Sequence, residues 1–312
     1  MANDPFDQFV AAFGAARVRC DAPLAPFTTF KVGGPAQCLV EVHDSRELAS
    51  AWHLAAQTGV PSTILGGGSN VLVSDAGVRG VVIRTHGGVI ALEGEAGVRA
   101  DAGVSLNSLV RWTIGRGLAG LETWAGTPGS VGGAVFGNAH YGGRSVGELI
   151  ASVRLIGAGH DIVDVPAREM EFAYDRSRLQ RTGDVVLSVL FALSASADPA
   201  LLRETARRSL ADRKRTQPLD TPSAGCIFQN PDPAVDSVPD GIPASAGALI
   251  DRAGLKGHAI GGARVSAAHA NFILNEGGAT ASDIRRLIDL CRDEVRARFG
   301  VTLREEIRYL GG

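Results

Sequence analysis

Three glycines, a serine and an asparagine stand between two short apolar runs in Ile64-Leu65-Gly66-Gly67-Gly68-Ser69-Asn70-Val71-Leu72-Val73. Glycine has no Cβ, so consecutive glycines let successive backbone N–H groups turn into one concavity, to which Ser69 and Asn70 can add side-chain donors. Such a nest suits an anion, phosphate above all. The dinucleotide fingerprint must open a helix, whereas here Val71-Leu72-Val73 continues as a second strand and breaks at Ser74-Asp75-Ala76-Gly77. The stretch is therefore not a Rossmann turn. A glycine-rich hairpin without a ligand is the plainer alternative for these residues taken alone.

A second glycine-rich stretch runs from Gly117 to Ala139 and contains Thr127-Pro128-Gly129-Ser130-Val131-Gly132-Gly133-Ala134. Small residues at this density let a flat aromatic ligand lie directly on the backbone; close helix–strand packing is the alternative. Arg213-Lys214-Arg215 closes a helical pattern, where the macrodipole favours cations at a solvated end and where a phosphate could also be met. Cys20, Cys38, Cys226 and Cys291 form no C-x-x-C pair, which argues against a zinc ribbon or a disulfide framework, so reduced thiols and no metal centre are expected.

The elements that must carry these loops follow from length and periodicity. A chain of 312 residues has room for two or three domains, each with its own core. With 31 basic against 33 acidic residues, no global field would gather nucleic acid. No apolar run is long enough to span a bilayer, and the first residues lack the basic and apolar regions of a secretory signal, so a cytoplasmic location without membrane contact is expected. Helical spacing predicts a helix over 6–19, another capped by Ser45 and closed by Gly59, and a third capped by Ser105. A helix starting at Asp198-Pro199 should bury Leu201, Leu202 and Leu210, and one over 246–253 should follow. Thr280 and Asp283 form a capping box for a long helix with Ile284, Leu287, Ile288, Cys291 and Val295 inward, closed by Gly300. Strands are expected over 38–42, on both sides of the Gly66–Gly68 run, and over 81–83, 89–101, 150–156, 185–190 and 303–310.

In order and spacing, the motifs T-x-F-K-V-G-G-P-A (from Thr28), I-L-G-G-G-S-N-V-L-V, G-L-x-G-L-E, G-T-P-G-x-V-G-G-A-x-x-x-N-A, A-G-C-x-F-x-N-P, A-G-x-L-I-D-x-A-G-L-K-G, H-x-N-F-I-x-N and L-x-x-E-I-R cover nearly the whole chain. This series resembles the UDP-N-acetylenolpyruvoylglucosamine reductases, the MurB family, in its shorter second type. The resemblance implies an α+β fold: an FAD-binding pair of α+β subdomains of the vanillyl-alcohol-oxidase (PCMH) type plus a C-terminal α+β substrate-binding domain. The corresponding segments are 1–86, 87–218 and 219–300, with the strand at 301–312 returning to the first.

Carried over residue by residue, the resemblance places the FAD pyrophosphate at Gly66, Gly67, Gly68, Ser69 and Asn70. The isoalloxazine and ribityl region falls near Thr127, Pro128, Gly129, Gly132, Gly133 and Ala134. The implied chemistry is reduction of FAD by NADPH, then hydride delivery to the β-carbon of an enolpyruvyl ether and protonation of its α-carbon. An unactivated enol ether is a poor hydride acceptor, so its carboxylate must be polarised by preorganised donors, worth about 3 kcal/mol each. The family uses an arginine and a glutamate for this, with a serine as proton donor. The serine position falls on Cys226, whose thiol, with an ordinary pKa of ~8.5, is a far stronger acid than an alcohol; inert burial is the alternative. The glutamate falls on Glu306, since Glu305 points to the opposite strand face. The family's F-x-Y-R-x-S becomes Phe172-Ala173-Tyr174-Asp175-Arg176-Ser177, so Arg176 is taken for the polarising role, with Arg178 as the alternative. Tyr174, Lys214, Gln229, Asn230, His269 and Asn271 are the implied substrate contacts, with a satisfied core histidine as the alternative for His269. The expected partners are a UDP-sugar and NADPH, with a monomer favoured. Another FAD-dependent oxidase or dehydrogenase, or a nucleotide-binding regulator without chemistry, are the competing functions.

Overall fold

A computed structural model of the chain describes residues 5–157, 159–195 and 198–312. These divide into two compact units. The first takes the described residues up to Asp21 together with Gln37–Gly67 and Gly80–Asp212; the second takes Ala22–Ala36, Gly68–Arg79 and Arg213–Gly312.

In the first unit the opening helix, Pro5–Phe13, is shorter than its periodicity suggests. Gly14 adopts φ 82°, which ends the helix, and a strand at Val18–Pro23 takes the residues that follow. That strand joins Pro35–Val42, Val78–Thr85 and Ser62–Leu65 in one sheet. Ser62–Leu65 runs parallel to Val78–Thr85, and the helix Ser45–Thr58 precedes it in the chain. The cap of that helix is Asp44, not Ser45: its carboxylate accepts the amides of Arg46 and Glu47 at 2.9 and 2.8 Å. Two good capping residues stand side by side here, and the one with extended backbone takes the role. Gly59 closes the helix at φ 67°.

The unit's second sheet is wholly antiparallel, in the order Ile162–Pro166, Ile150–Ile156, Val185–Ala192, Gly97–Asp101, Ile90–Glu93. The alternating run over 89–101 is thus a hairpin, and Ile162–Pro166 is an edge strand whose exposed Ile162 and Val163 gave no clear alternation. Leu106–Ile114, capped by Ser105, lays Leu106, Leu109, Val110, Thr113 and Ile114 into the interior. Asp198 caps the helix Pro199–Thr216 by accepting the amide of Ala200 at 2.8 Å. Leu202 is buried there while Leu201 is 64% exposed, because neighbours on a helix lie about 100° apart and only one can face inward.

The second unit has its own core, from Phe30, Val32 and Leu72 to Ile227, Phe228, Leu249 and Ile284. A small antiparallel sheet, Ala259–Ile260, Ala263–Val265 and Ile273–Asn275, accompanies the helices Ala246–Arg252 and Ala281–Phe299. The capping box of Thr280 and Asp283 is formed, the five expected side chains are buried, and Gly300 closes the helix at φ 70°. Asp75 reinforces its start by accepting the amides of Ala281 and Ser282 at 2.8 and 2.9 Å. Of the run over 303–310 only Arg308–Leu310 is a regular strand, pairing in parallel with Val71–Val73. Among the described residues no helix is long and apolar enough to cross a membrane.

Candidate functional site

In the first unit, Gly66 and Gly67 run against the second glycine-rich loop. A Cβ on Gly67 would stand 2.6 Å from Gly129 Cα, and one on Gly66 would collide with Ser130 Oγ. A Cβ on Gly132 would stand 3.0 Å from that of Ala102. The missing side chains are thus used for backbone-to-backbone packing, which brings the two loops together. The second loop is pinned by Asn107, which sequence reasoning missed: its Oδ1 accepts the Gly126 amide at 2.7 Å and its Nδ2 donates to Thr127 O at 3.2 Å. Ser130 then caps the short helix Val131–Phe136, accepting the Gly133 amide at 3.3 Å.

The amides of Gly66, Gly67, Gly68, Ser69 and Asn70 donate to no protein acceptor among the described residues, and neither do those of Gly129 and Ser130. Gly67 is exposed and Gly66, Ser69 and Asn70 are half-buried, so these successive amides are open to solvent or to an oxyanion such as a pyrophosphate. The side chain of Asn70 does something else: its Nδ2 donates to Glu306 O at 3.2 Å. One of its two N–H groups is thereby spent on holding the loop.

In the second unit, the segment after Gly225 (φ 76°) lies antiparallel to the chain end. Glu306 N donates to Ile227 O at 2.8 Å, and Gln229 N to Arg304 O at 2.8 Å. Cys226 is half-buried, and its neighbour Ile227 accepts the Glu306 amide, so the two candidates stand on adjoining backbone segments. Glu305 is committed elsewhere, in an ion pair with Arg292 of the long helix. Cys38 and Cys291 are buried, and burial pushes the Cys291 thiol up to about 12, which leaves it inert.

Asn271 and Asn230 act through the backbone. Both ends of the buried Asn271 amide are spent on Phe228, Oδ1 accepting its N–H at 2.9 Å and Nδ2 donating to its carbonyl at 2.7 Å. Asn230 Oδ1 accepts the Ala246 amide at 3.1 Å. His269 Nδ1 accepts the Asn271 amide at 3.3 Å, and burial holds its pKa below the usual histidine value. Near the end of the helix Pro199–Thr216, Lys214 is exposed while Arg213 is only 5% exposed; it is Arg213, not the named lysine, that is turned inward.

The Tyr174 region belongs to the first unit. Arg176 is exposed, Asp175 is buried, and Arg178 pairs with Asp184 at 3.3 Å. Among the described residues no group of His, Cys, Asp and Glu could hold a metal ion.

An FAD binding domain model matches residues 36–166, which include both glycine-rich loops, and the UDP-N-acetylenolpyruvoylglucosamine reductase C-terminal domain model matches 217–310. Among curated relatives, the UDP-N-acetylenolpyruvoylglucosamine reductase of Synechococcus sp. (strain JA-3-3Ab) is 40% identical over 95% of this chain and 92% of its own. That of Chlamydia felis is 38% identical over 94% of each. The crystal structure of the Thermus caldophilus reductase superposes with a TM-score of 0.75 at 32% identity, covering 94% of this chain and 98% of that one. With free loop amides suited to a pyrophosphate, an FAD-binding match across them and relatives of this identity along almost the full length, the chain belongs to the UDP-N-acetylenolpyruvoylglucosamine reductase family of FAD-dependent oxidoreductases.

Proposed function

We propose that the protein uses NADPH and FAD to reduce enolpyruvyl-UDP-N-acetylglucosamine to UDP-N-acetylmuramate, a cytoplasmic step in making peptidoglycan precursors. The observation that carries this reading is the direct backbone bond between Glu306 and Ile227, which sets a carboxylate and the Cys226 thiol on neighbouring segments within a family of this name.

The amides of 66–70 would hold the FAD pyrophosphate, and the small residues Gly129, Gly132, Gly133 and Ala134, with Thr127 and Pro128, would leave room for the ring system. A flavin held there, reduced by NADPH, would supply the hydride that the β-carbon of the enolpyruvyl group takes up. Cys226 gives its Sγ proton to the α-carbon, so that the carbon–carbon double bond becomes a single bond and the thiolate is reprotonated from solvent. Glu306 is the second group assigned to the enolpyruvyl centre, acting with Cys226 after the flavin has been reduced. Tyr174, Gln229 and His269 are the substrate contacts, while Asn230 and Asn271 keep their segments in place; Lys214 meets the UDP end.

The test is anaerobic spectroscopy on the purified protein. Flavin absorbance near 450 nm should bleach with NADPH and return on adding enolpyruvyl-UDP-N-acetylglucosamine. Return of the colour with a different acceptor but not with this one would replace the substrate assignment, and failure to bind FAD after reconstitution would favour a regulator without chemistry.

A further inference from the structure

Residues 304–306 run antiparallel to 227–229, with Glu305 opposite Phe228 and Glu306 N–H donating to Ile227 O at 2.8 Å. Successive side chains of an extended chain leave on opposite faces. Leu303 and Ile307 are each 3% exposed in the core of the second unit, so Glu305, between them, is turned the same way. Arg304 and Glu306 take the other face, where Arg304 forms a two-pronged pair with Asp236 at 3.1 and 2.6 Å.

Glu305 is thus a carboxylate on an otherwise apolar face, with its side chain 17% exposed. The helix Ala281–Phe299 meets it with Arg285, Asp289 and Arg292, which lie at i, i+4 and i+7 and so share one stripe. Arg292 pairs with Glu305 through one guanidinium nitrogen and with Asp289 through another. Arg285 lies 4.4 Å above the Tyr309 ring, and burial, with the Glu305 carboxylate beside it, pushes the Tyr309 phenol above the usual tyrosine range. The helix therefore grips the chain on both sides of Glu306. The backbone of Glu306 is held as well, its N–H by Ile227 O and its carbonyl by Asn70 Nδ2 at 3.2 Å. All of these residues belong to the second unit.

We infer that Arg292 is a positioning residue for the reaction: by holding Glu305 against the long helix, it keeps Glu306, and not its neighbour, on the opposite face of this segment. The inference rests on the reductase reading above for the role of Glu306. Two carboxylates stand side by side here, and a turn of the chain by one residue exchanges them. Without the guanidinium, Glu305 is left as a largely buried charge, and turning it out to water relieves the desolvation penalty. The same turn carries Glu306 in toward the helix. Glu305→Gln removes the charge and with it the reason to turn, so it should repair the loss of Arg292.

Two measurements on the FAD-loaded enzyme test this, with the flavin spectrum of each variant as the check on folding. The first is carbodiimide coupling of carboxylates to glycine ethyl ester, read by peptide mass spectrometry. In Arg292→Met, Glu305 labelling should rise and Glu306 labelling fall, each at least about threefold, and Arg292→Met with Glu305→Gln should return Glu306 to its wild-type rate. The second is anaerobic stopped-flow. Arg292→Met should slow flavin reoxidation by saturating enolpyruvyl-UDP-N-acetylglucosamine about 30-fold, while reduction by NADPH and the half-saturating substrate concentration stay within about twofold. The double variant should be at least about tenfold faster than Arg292→Met. Arg298→Met, which removes a surface pair with Glu294 on the same helix, should leave both half-reactions within about twofold. Labelling that rises at both carboxylates, which loosening alone would produce, no recovery in the double variant, or equal loss of both half-reactions in Arg292→Met would each overturn the inference. Reoxidation of the wild-type flavin by this substrate tests the reductase reading itself: its absence ends both, and its presence leaves the variants to decide the inference alone.

Discussion

Replacing Asn271 by alanine tests how the segment bearing Cys226 is held. Asn271 is 3% exposed and Phe228 is 1% exposed, and their two hydrogen bonds at 2.9 and 2.7 Å occupy both backbone groups of Phe228. Each bond contributes about 1 kcal/mol net, and each backbone group left unpaired in the interior costs about 1–3 kcal/mol. These figures overlap, because the loss of a bond and the orphaned partner are two sides of one event, so the expected destabilisation of the second unit is about 3 kcal/mol. With a urea m-value of about 2 kcal/mol/M, the midpoint should fall by about 1.5 M. The readout must belong to that unit. Trp52, Trp112 and Trp124 all lie in the first unit, so tryptophan fluorescence follows the other half of the chain. Cys291, 1% exposed on the helix Ala281–Phe299, reports the right half, and its alkylation against urea, read by peptide mass spectrometry, gives the midpoint. Asn271→Asp is the control, because a carboxylate oxygen then faces the Phe228 carbonyl in place of a donor, and the loss at pH 7 should exceed that of the alanine variant. A midpoint shift under about 0.5 M for Asn271→Ala, or an aspartate variant as stable as wild type, would refute the reasoning that this amide clamps the segment.

Cys226→Ser should keep measurable turnover, whereas Cys226→Ala and Glu306→Gln should retain reduction by NADPH and lose flavin reoxidation by about 10²–10⁴-fold, read by stopped-flow absorbance. Equal loss of both half-reactions in the alanine variant would indicate a packing role for the thiol. Gly67→Ala should lose FAD on gel filtration and cost about 1–3 kcal/mol in thermal unfolding, because its Cβ would stand 2.6 Å from Gly129 Cα. In the fold His269 has its pKa lowered, chiefly by burial, so between that value and the unfolded ~6.5 the unfolded chain binds more protons. Its contribution is therefore complete above about pH 6.5 and is lost as pH falls. His269→Gln should flatten the decline of stability between pH 7 and 5, measured by urea titration at each pH, and an unchanged slope would count against it.

Much of the architecture could be read from local pattern because the signals are local. The Thr280–Asp283 capping box, the closing Gly300 and the inward stripe of the last helix all lie within one element, and all are present. Asp44 displaced Ser45 as a cap because both residue types serve and only the backbone conformation separates them. The side-chain partners in the candidate site were not legible, because they lie far off in the chain. Asn70 reaches the carbonyl of Glu306, and Asn271 reaches Phe228, so amides that sequence reasoning offers to a ligand are spent on the fold. The altered Tyr174-Asp175-Arg176-Ser177 run showed that something had changed; it could not show that Asp175 turns inward to His140, because that direction depends on one positive φ.

The parallel pairing of Val71–Val73 with Arg308–Leu310 also has a consequence for biosynthesis. A ribosome delivers Val71–Val73 well before Arg308–Leu310, so the nascent chain must carry an open strand edge until the later segment emerges. Such an edge is a template for aggregation. A premature stop at residue 308 would leave that edge open permanently, although neither Cys226 nor Glu306 is touched. Such truncated products are expected to be cleared by proteases or to accumulate in inclusion bodies.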